Sequence, residues 1–528
     1  MLALIPFLLI LAGAGLIPWI ARRRAQFVVH TAVSLSGISL LIWIVTRTQL
    51  PITMSLNNWV DSGFLANVEW QVDTLNWQVT FAILLLLMAI CLSKLDVPLA
   101  ELRPLPYLFL QTAVSLLAIW SNNLPTMIVG LTLLMLPWLV AVWQQAEGDN
   151  TRLLRYMAMI ITALVFLWYA VAISPISDNW QVQAFATGGI AAVVIAAAIL
   201  VGIWPFYVWR LRLTAVPNST AIMTFVLPTA IGGIIFARLA EATQPGINLQ
   251  LLVTLLALFG ILQSMRLAWA HLQSPRHIAL AVLFAQAQLV ILTGIWANGA
   301  AVVAELRVLI LVGGILFLAA EERPSRERFW TFLAPIVAIA SLAALPLTAG
   351  FVGRAALYSA WIENGRFLLA IILAFLTVPL ITAVYIRFWQ PPSPQISPLE
   401  GEEADNGLPP SSLLTLNEIG RDGGVVLLAF GLFTILGIGW GAVHWLAWIL
   451  ILLTLIAGLI LPRFMGEAQR IQSLFQQAFS FGDRLPSEQV NGLARDVGTA
   501  VRDAARILEG EGGLVWLFIL AVLFFLLS

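Results

Sequence analysis

The sequence of 528 residues predicts an all-α polytopic membrane protein of about 16 transmembrane helices. Three observations carry that prediction. First, 60% of the residues are hydrophobic and 10% charged. About a quarter of an ordinary soluble domain is charged, so this chain cannot cover a water-facing surface. Second, apolar runs of spanning length recur from one end to the other. Third, the few basic residues fall almost entirely in alternate loops. A soluble enzyme, a nucleic-acid binder and a secreted disulfide scaffold are excluded together. The net charge is zero, so no basic face points to nucleic acid, and the lipid bilayer is the expected surrounding partner. Cys91 is the single cysteine and lies within an apolar run, which rules out an internal disulfide.

The runs lie near 2–20, 26–46, 75–93, 105–121, 124–144, 152–173, 185–208, 220–238, 249–268, 277–296, 299–320, 329–361, 366–388, 424–441, 444–461 and 512–527. The first has no basic residue before it and Arg22, Arg23 and Arg24 after it. That polarity is the reverse of a cleaved signal peptide, so the run is expected to stay as a span. The run at 329–361 is too long for one straight helix and holds Pro346 and Gly350 near its middle, which predicts a broken helix. A second interruption, Gly202-Ile203-Trp204-Pro205-Phe206-Tyr207-Val208-Trp209, ends the seventh run. The two breaks are five spans apart, and an odd shift reverses direction. Spans four to eight (105–238) and nine to thirteen (249–388) therefore read as two inverted five-helix repeats after N-terminal helices in 1–122.

Between and beyond the spans, 47–74 reads as a loop carrying Asp61, Glu69 and Asp73. Residues 389–423 hold six prolines and six acidic residues and predict a solvated, largely disordered linker. Two further spans follow in 424–461. Residues 462–511 alternate apolar and charged positions at helical spacing (Phe464, Ala468, Ile471, Phe475, Phe479) and predict amphipathic surface helices before a last span in 512–528.

Of the 27 basic residues, 26 are Arg and only Lys94 is Lys. The odd-numbered loops hold 22 of them and the even loops Arg47, Arg238 and Arg366, with Arg307 and Arg354 inside spans. The positive-inside rule then makes the odd loops cytoplasmic and puts both termini on the other side of an inner-type membrane.

Chemistry-bearing motifs are sparse. The sequence has no phosphate-binding glycine loop, metal-spaced Cys or His cluster, or nucleophile–base pair. It has no motif for a flavin, an iron–sulfur cluster or a nicotinamide, so neither a catalytic or redox centre nor a cofactor is expected in the chain itself. His30, His271, His277 and His444 are scattered. Charges inside spans are expensive and functional by default. Glu305 and Arg307 in the eleventh run read either as a structural pair, bonded to each other or to backbone, or as part of an ion path, and Arg354 beyond the break in the twelfth as a charge beside freed backbone groups.

At these residues the chain resembles a known family. PLTAGFVGRAALYSA (346–360) is similar to a broken twelfth-helix segment of the antiporter-like membrane subunits of respiratory complex I, shared with Mrp-type cation/proton antiporters and membrane-bound hydrogenases. WPFYVW (204–209), FVLPTAIGGIIFAR (225–238) and AVYIRFW (383–389) resemble its seventh, eighth and thirteenth helices, and 490–527 its lateral-helix extension. The resemblance implies a proton path built on a Glu of the fifth helix and lysines of the seventh, eighth and twelfth. By motif those positions are here Thr132, Leu200, Thr229 and Arg354, with Tyr207 in place of a His and Arg307 loosely matching a basic residue. Pro205, Pro346, Gly350 and Gly353 keep the broken-helix frame. A neutral Thr or Leu holds no proton, and Arg does not release one. A lysine relay is therefore not available. Glu305, Arg307, Arg354 and Tyr207 remain as path candidates.

Three functions stay open. One is a membrane-arm subunit, partnered by other membrane subunits of a redox-driven complex, that moves protons or exchanges them for cations. Another is a structural, non-conducting paralogue in such a complex. The third is an independent secondary transporter.

Overall fold

The computed structural model describes residues 3–55, 68–95, 97–98, 102–144, 151–174, 180, 185–204, 206, 218–320, 329–389, 416–433 and 443–464. In hydrocarbon every backbone N–H and C=O must be met within the chain, which leaves the α-helix as the form for apolar runs of this length. Sixteen helices occupy the described residues. They are α1 (Leu4–Arg23), α2 (Val28–Thr46), α3 (Thr74–Leu92), α4 (Leu105–Ile119), α5 (Leu124–Gln144), α6 (Thr151–Ile173), α7 (Thr187–Val201) and α8 (Asn218–Ala242). The series continues with α9 (Ile247–Ala270), α10 (Pro275–Trp296), α11 (Gly299–Ala319), α12 (Phe329–Leu342), α13 (Ala349–Glu363), α14 (Phe367–Trp389), α15 (Leu416–Gly431) and α16 (Trp445–Phe464). Eight of them are long and apolar enough to cross a membrane. Every apolar run up to 444–461 meets a helix, and 329–361 meets two. The run at 512–527 and almost all of the amphipathic stretch 462–511 lie outside the described residues.

Burial separates centre from rim. The apolar stretches of α10 and α11 are 100% buried and that of α8 94%, against 22% for α1 and 39% for α2. α11 packs on α8, α10, α13, α3 and α15, so a residue on α11 sits at the middle of the bundle. The rim helices turn large apolar side chains outward: Leu41 on α2, Leu255 on α9, and Leu368 and Phe375 on α14. On a soluble protein such a belt would be a sticky patch, whereas here it matches lipid.

Two expectations are corrected. The stretch 47–74 is not all loop. Strands β1 (Ile52–Ser55) and β2 (Glu69–Val72) pair antiparallel, Ile52 opposite Val72. The α4–α5 turn holds β2 on its other side, through Gln71 N–H to Trp120 O (2.8 Å) and Asn122 N–H to Glu69 O (3.0 Å). The proline-rich linker also ends earlier than 423, because α15 begins at Leu416. α15 packs against α3, where Gly420 and Gly424 lie over the backbone oxygens of Leu92 and Ala89, too close for a Cβ. Small residues four apart let two helices approach, so this stretch is a helix interface. Residues 390–415 lie outside the described part.

Candidate functional site

The break between α12 and α13 is built by backbone geometry. Ala344 (φ 58°) and Leu347 (φ 75°) both adopt the left-handed region. For residues with a Cβ this costs about 1–2 kcal/mol each, and such outliers cluster at functional sites. Freed groups are met locally: Leu345 N–H donates to Ala340 O (2.8 Å) and the Thr348 hydroxyl to Leu345 O (2.7 Å). Two glycines let the halves close. A Cβ on Gly350 would stand 1.9 Å from Ser341 O, and one on Gly353 would stand 2.7 Å from Glu305 Oε1. Gly350 therefore lets α13 fold back on the end of α12, and Gly353 leaves the space that the Glu305 carboxylate fills.

That carboxylate faces Arg354, with Arg354 Nε 3.5 Å from Glu305 Oε1 and both side chains buried. The contact pairs their charges at the outer limit of hydrogen-bond range, and among the described residues no other donor meets the carboxylate. Tyr358, one turn further along α13 and fully buried, interacts with Arg354, and Thr454 of α16 interacts with Tyr358. Three helices thus converge on one charged cluster in the bundle.

Arg307, two residues along α11 from Glu305, does something else. Its guanidinium donates to Gly431 O and, at 3.4 Å, to Phe433 O, so it caps the C-terminal end of α15. A cation there also meets the negative end of the helix dipole. The same helix end supports the break: Leu432 O accepts Ala349 N–H at 2.8 Å, and Thr348 bridges Phe433.

The first interruption is partly described. α7 ends on Gly202 in the left-handed conformation (φ 92°), and Gly202 O accepts a hydrogen bond from Gln288 Nε2 of α10 at 2.9 Å. Pro205 and Tyr207 lie outside the described residues. Leu200 and Thr229 are fully buried. The Thr229 hydroxyl donates to Phe225 O at 2.7 Å, within α8 itself. Thr132 lies on an exposed face of α5 and donates to Ile128 O at 2.8 Å.

The structure thus brings Glu305, Arg354, Gly350 and Gly353 together and assigns Arg307 to a helix cap beside them. Sequence reading gave no role to Tyr358, although it lies within the 346–360 stretch, nor to Thr454 and Gln288, which carry no local motif. It also missed the pair of Arg238 with Asp73, in which the Asp73 carboxylate caps α3 and binds the end of α8. His271 and His277, spaced apart in sequence, stack at 4.4 Å where α9 turns into α10.

No protein-family model and no curated protein matches the chain. Solved structures do. A chain of the membrane-bound sulfane sulfur reductase, an archaeal respiratory membrane complex, superposes with a TM-score of 0.67 at 16% identity, covering 100% of both chains. A chain of the Mrp complex from Dietzia sp. gives a TM-score of 0.63 at 14% identity, over 87% of this chain and 96% of that one. A chain of respiratory complex I from Thermus thermophilus gives 0.55 at 17%, over 87% and 98%. The superpositions show a shared fold: the chain has the helical membrane architecture of these three chains.

Proposed function

We propose that this chain is a membrane-arm subunit of a multi-subunit, electron-transfer-linked complex, and that its proton handling centres on Glu305 and Arg354. The observation that carries this reading is the superposition on a chain of the sulfane sulfur reductase complex, which covers 100% of both chains. The inverted repeat, with breaks after α7 and between α12 and α13, and the orientation of both termini away from the cytoplasm belong to the same reading. The interrupted helices and the arginine distribution support them.

A path across the membrane by lysines is not part of the proposal. Leu200 is apolar and Thr229 carries a neutral hydroxyl, which donates to Phe225 O at 2.7 Å and reaches Val201 O of α7 at 3.5 Å, so neither side chain titrates as a Lys would. This favours a second reading, in which the subunit seals the membrane and does not conduct.

Affinity purification of the tagged chain from its own membranes tests the first reading. Co-purification of further membrane subunits and redox subunits in fixed stoichiometry is expected, and recovery of the chain alone would overturn it. Reconstitution of that complex separates conduction from sealing. Glu305→Gln is expected to lower the number of protons moved per electron, and an unchanged ratio selects the sealing role.

A further inference from the structure

We propose that the turn between α1 and α2 is a docking surface for anionic phospholipid. Arg22, Arg23 and Arg24 meet the head groups, and Trp19 and Phe27 seat the turn at the lipid–water boundary. The proposal is independent of the function given above.

Arg22-Arg23-Arg24 is the only run of three consecutive basic residues in the sequence, and no Asp or Glu precedes Asp61. The turn therefore carries three positive charges, and neither of its helices supplies an acidic residue. All three side chains are exposed. Among the described residues the ion pairs are Arg238 with Asp73 and Arg354 with Glu305, so no carboxylate meets the three arginines. What Arg23 touches is a ring: its guanidinium carbon stands 4.5 Å from the centroid of Trp19. A guanidinium laid over an aromatic face keeps the N–H groups at its rim free for an acceptor, and their planar arrangement matches phosphate oxygens.

Position in the bundle points to lipid. α1 and α2 are rim helices, with 22% and 39% of their apolar stretches buried. Trp19 is 52% exposed and Phe27 44%, and the two rings flank the arginines in sequence. Trp19 to Arg23 spans about 6 Å along the helix axis. One head-group layer is about 5–8 Å deep. With Trp19 at the boundary, the guanidinium groups stand level with the phosphates. The turn is short, and Phe27 N–H donates to Arg24 O at 3.0 Å, which fixes the second ring beside the charges. Basic residues here also orient the two helices and complement the C-terminal end of α1. Neither of those roles needs exposed rings on both sides of the run.

The test uses the purified complex in nanodiscs, with a fluorophore on Gln26→Cys in a Cys91→Ala background. Phosphatidylglycerol or phosphatidylcholine, each carrying a nitroxide high on one acyl chain, serves as quencher. Phosphatidylglycerol is expected to quench at the lower mole fraction. Each Arg near the surface contributes about fivefold, so the preference reaches about a hundredfold at low ionic strength. It is expected to shrink as salt is raised. Replacing all three arginines with Gln should bring the two lipids to equality, whereas replacing all three with Lys should keep most of the preference. Arg266→Gln with Arg276→Gln, which removes charge from the α9–α10 turn, should leave it unchanged. Equal quenching by both lipids around the unsubstituted arginines, a preference indifferent to salt, or one that survives the triple Gln variant overturns the proposal. Quenching by neither lipid would show the turn covered by protein and overturn it as well. The salt titration and the Lys variant keep the test decisive where the Gln variant fails to insert.

Discussion

Replacing Gly350 with alanine tests the closed geometry of the broken helix directly. The new Cβ would lie 1.9 Å from Ser341 O and 2.9 Å from Ser341 C, and both are backbone atoms in the last turn of α12. No rotamer relieves that contact, so α12 and α13 must separate by about 1.5 Å to reach an ordinary approach. Overpacking of this kind costs about 1–3 kcal/mol. Separation also pulls on the Ala349 N–H bond to Leu432 O, and an unmet buried amide adds about 1–3 kcal/mol. Alanine recovers about 1 kcal/mol through its better helix propensity. The net expectation is a loss of about 1–5 kcal/mol. Gly353→Ala should be milder, because its neighbours at 2.6 and 2.7 Å are Cγ and Oε1 of the Glu305 side chain, which can swing aside. Gly15→Ala in α1 meets nothing within 4 Å and should be neutral or slightly stabilising. Unfolding in mixed micelles by SDS titration, followed by tryptophan fluorescence, ranks the three variants. Gly350→Ala unfolding at the wild-type midpoint would falsify the close approach of α13 to α12.

Substitutions at three further sites follow from the same geometry. Asp73→Ala removes the cap of α3, worth about 0.5–2 kcal/mol, and leaves the buried Arg238 guanidinium without its carboxylate, worth about 3–5 kcal/mol. Thermal unfolding should drop sharply, and Asp73→Ala with Arg238→Leu should recover most of the loss. Arg307→Met leaves the carbonyls of Gly431 and Phe433 unmet, at about 1–3 kcal/mol each. Hydrogen exchange at the Ala349 amide should then speed up as the end of α15 loosens, whereas unchanged protection there would refute the capping role. Gln288→Leu strands Gly202 O, again at about 1–3 kcal/mol, and Gln288→Glu in its ionised form should be worse because a carboxylate only accepts. Equal stability of both variants with wild type would show that the carbonyl finds another donor.

How much of this was legible in the sequence depended on whether the signal was local. The spans and the break at 346–350 are properties of consecutive residues: hydropathy for the first, and proline and glycine within an overlong run for the second. Glu305 and Arg354 stood out because a charge in an apolar run is conspicuous by itself. Their pairing, and the separate task of Arg307, depend on α11, α13 and α15 meeting in space. The apolar stretches of α10 and α11 are buried all round, so no outward face marks which neighbour each side meets. Leu416–Gly423 was misread because two glycines and three charges look like linker. The spacing of Gly420 and Gly424 was the available sign of a close helix contact. The β1–β2 pairing went unseen because its strands are four residues each, and the backbone of the α4–α5 turn is what holds β2 in place.

The bond from Ala349 N–H to Leu432 O has a consequence for how the chain is made. Ribosomes deliver α12 and α13 to the membrane well before α15 exists, so the first amide of α13 enters the bilayer without its permanent acceptor. Until α14, residues 390–415 and α15 have been synthesised, the interrupted helix must keep contact with water, the insertion machinery or another chain. A nascent chain arrested after α14 should therefore be held by the insertase or degraded, and one arrested after Phe433 should be released. The number of residues from α14 to Phe433 sets the delay between those two points.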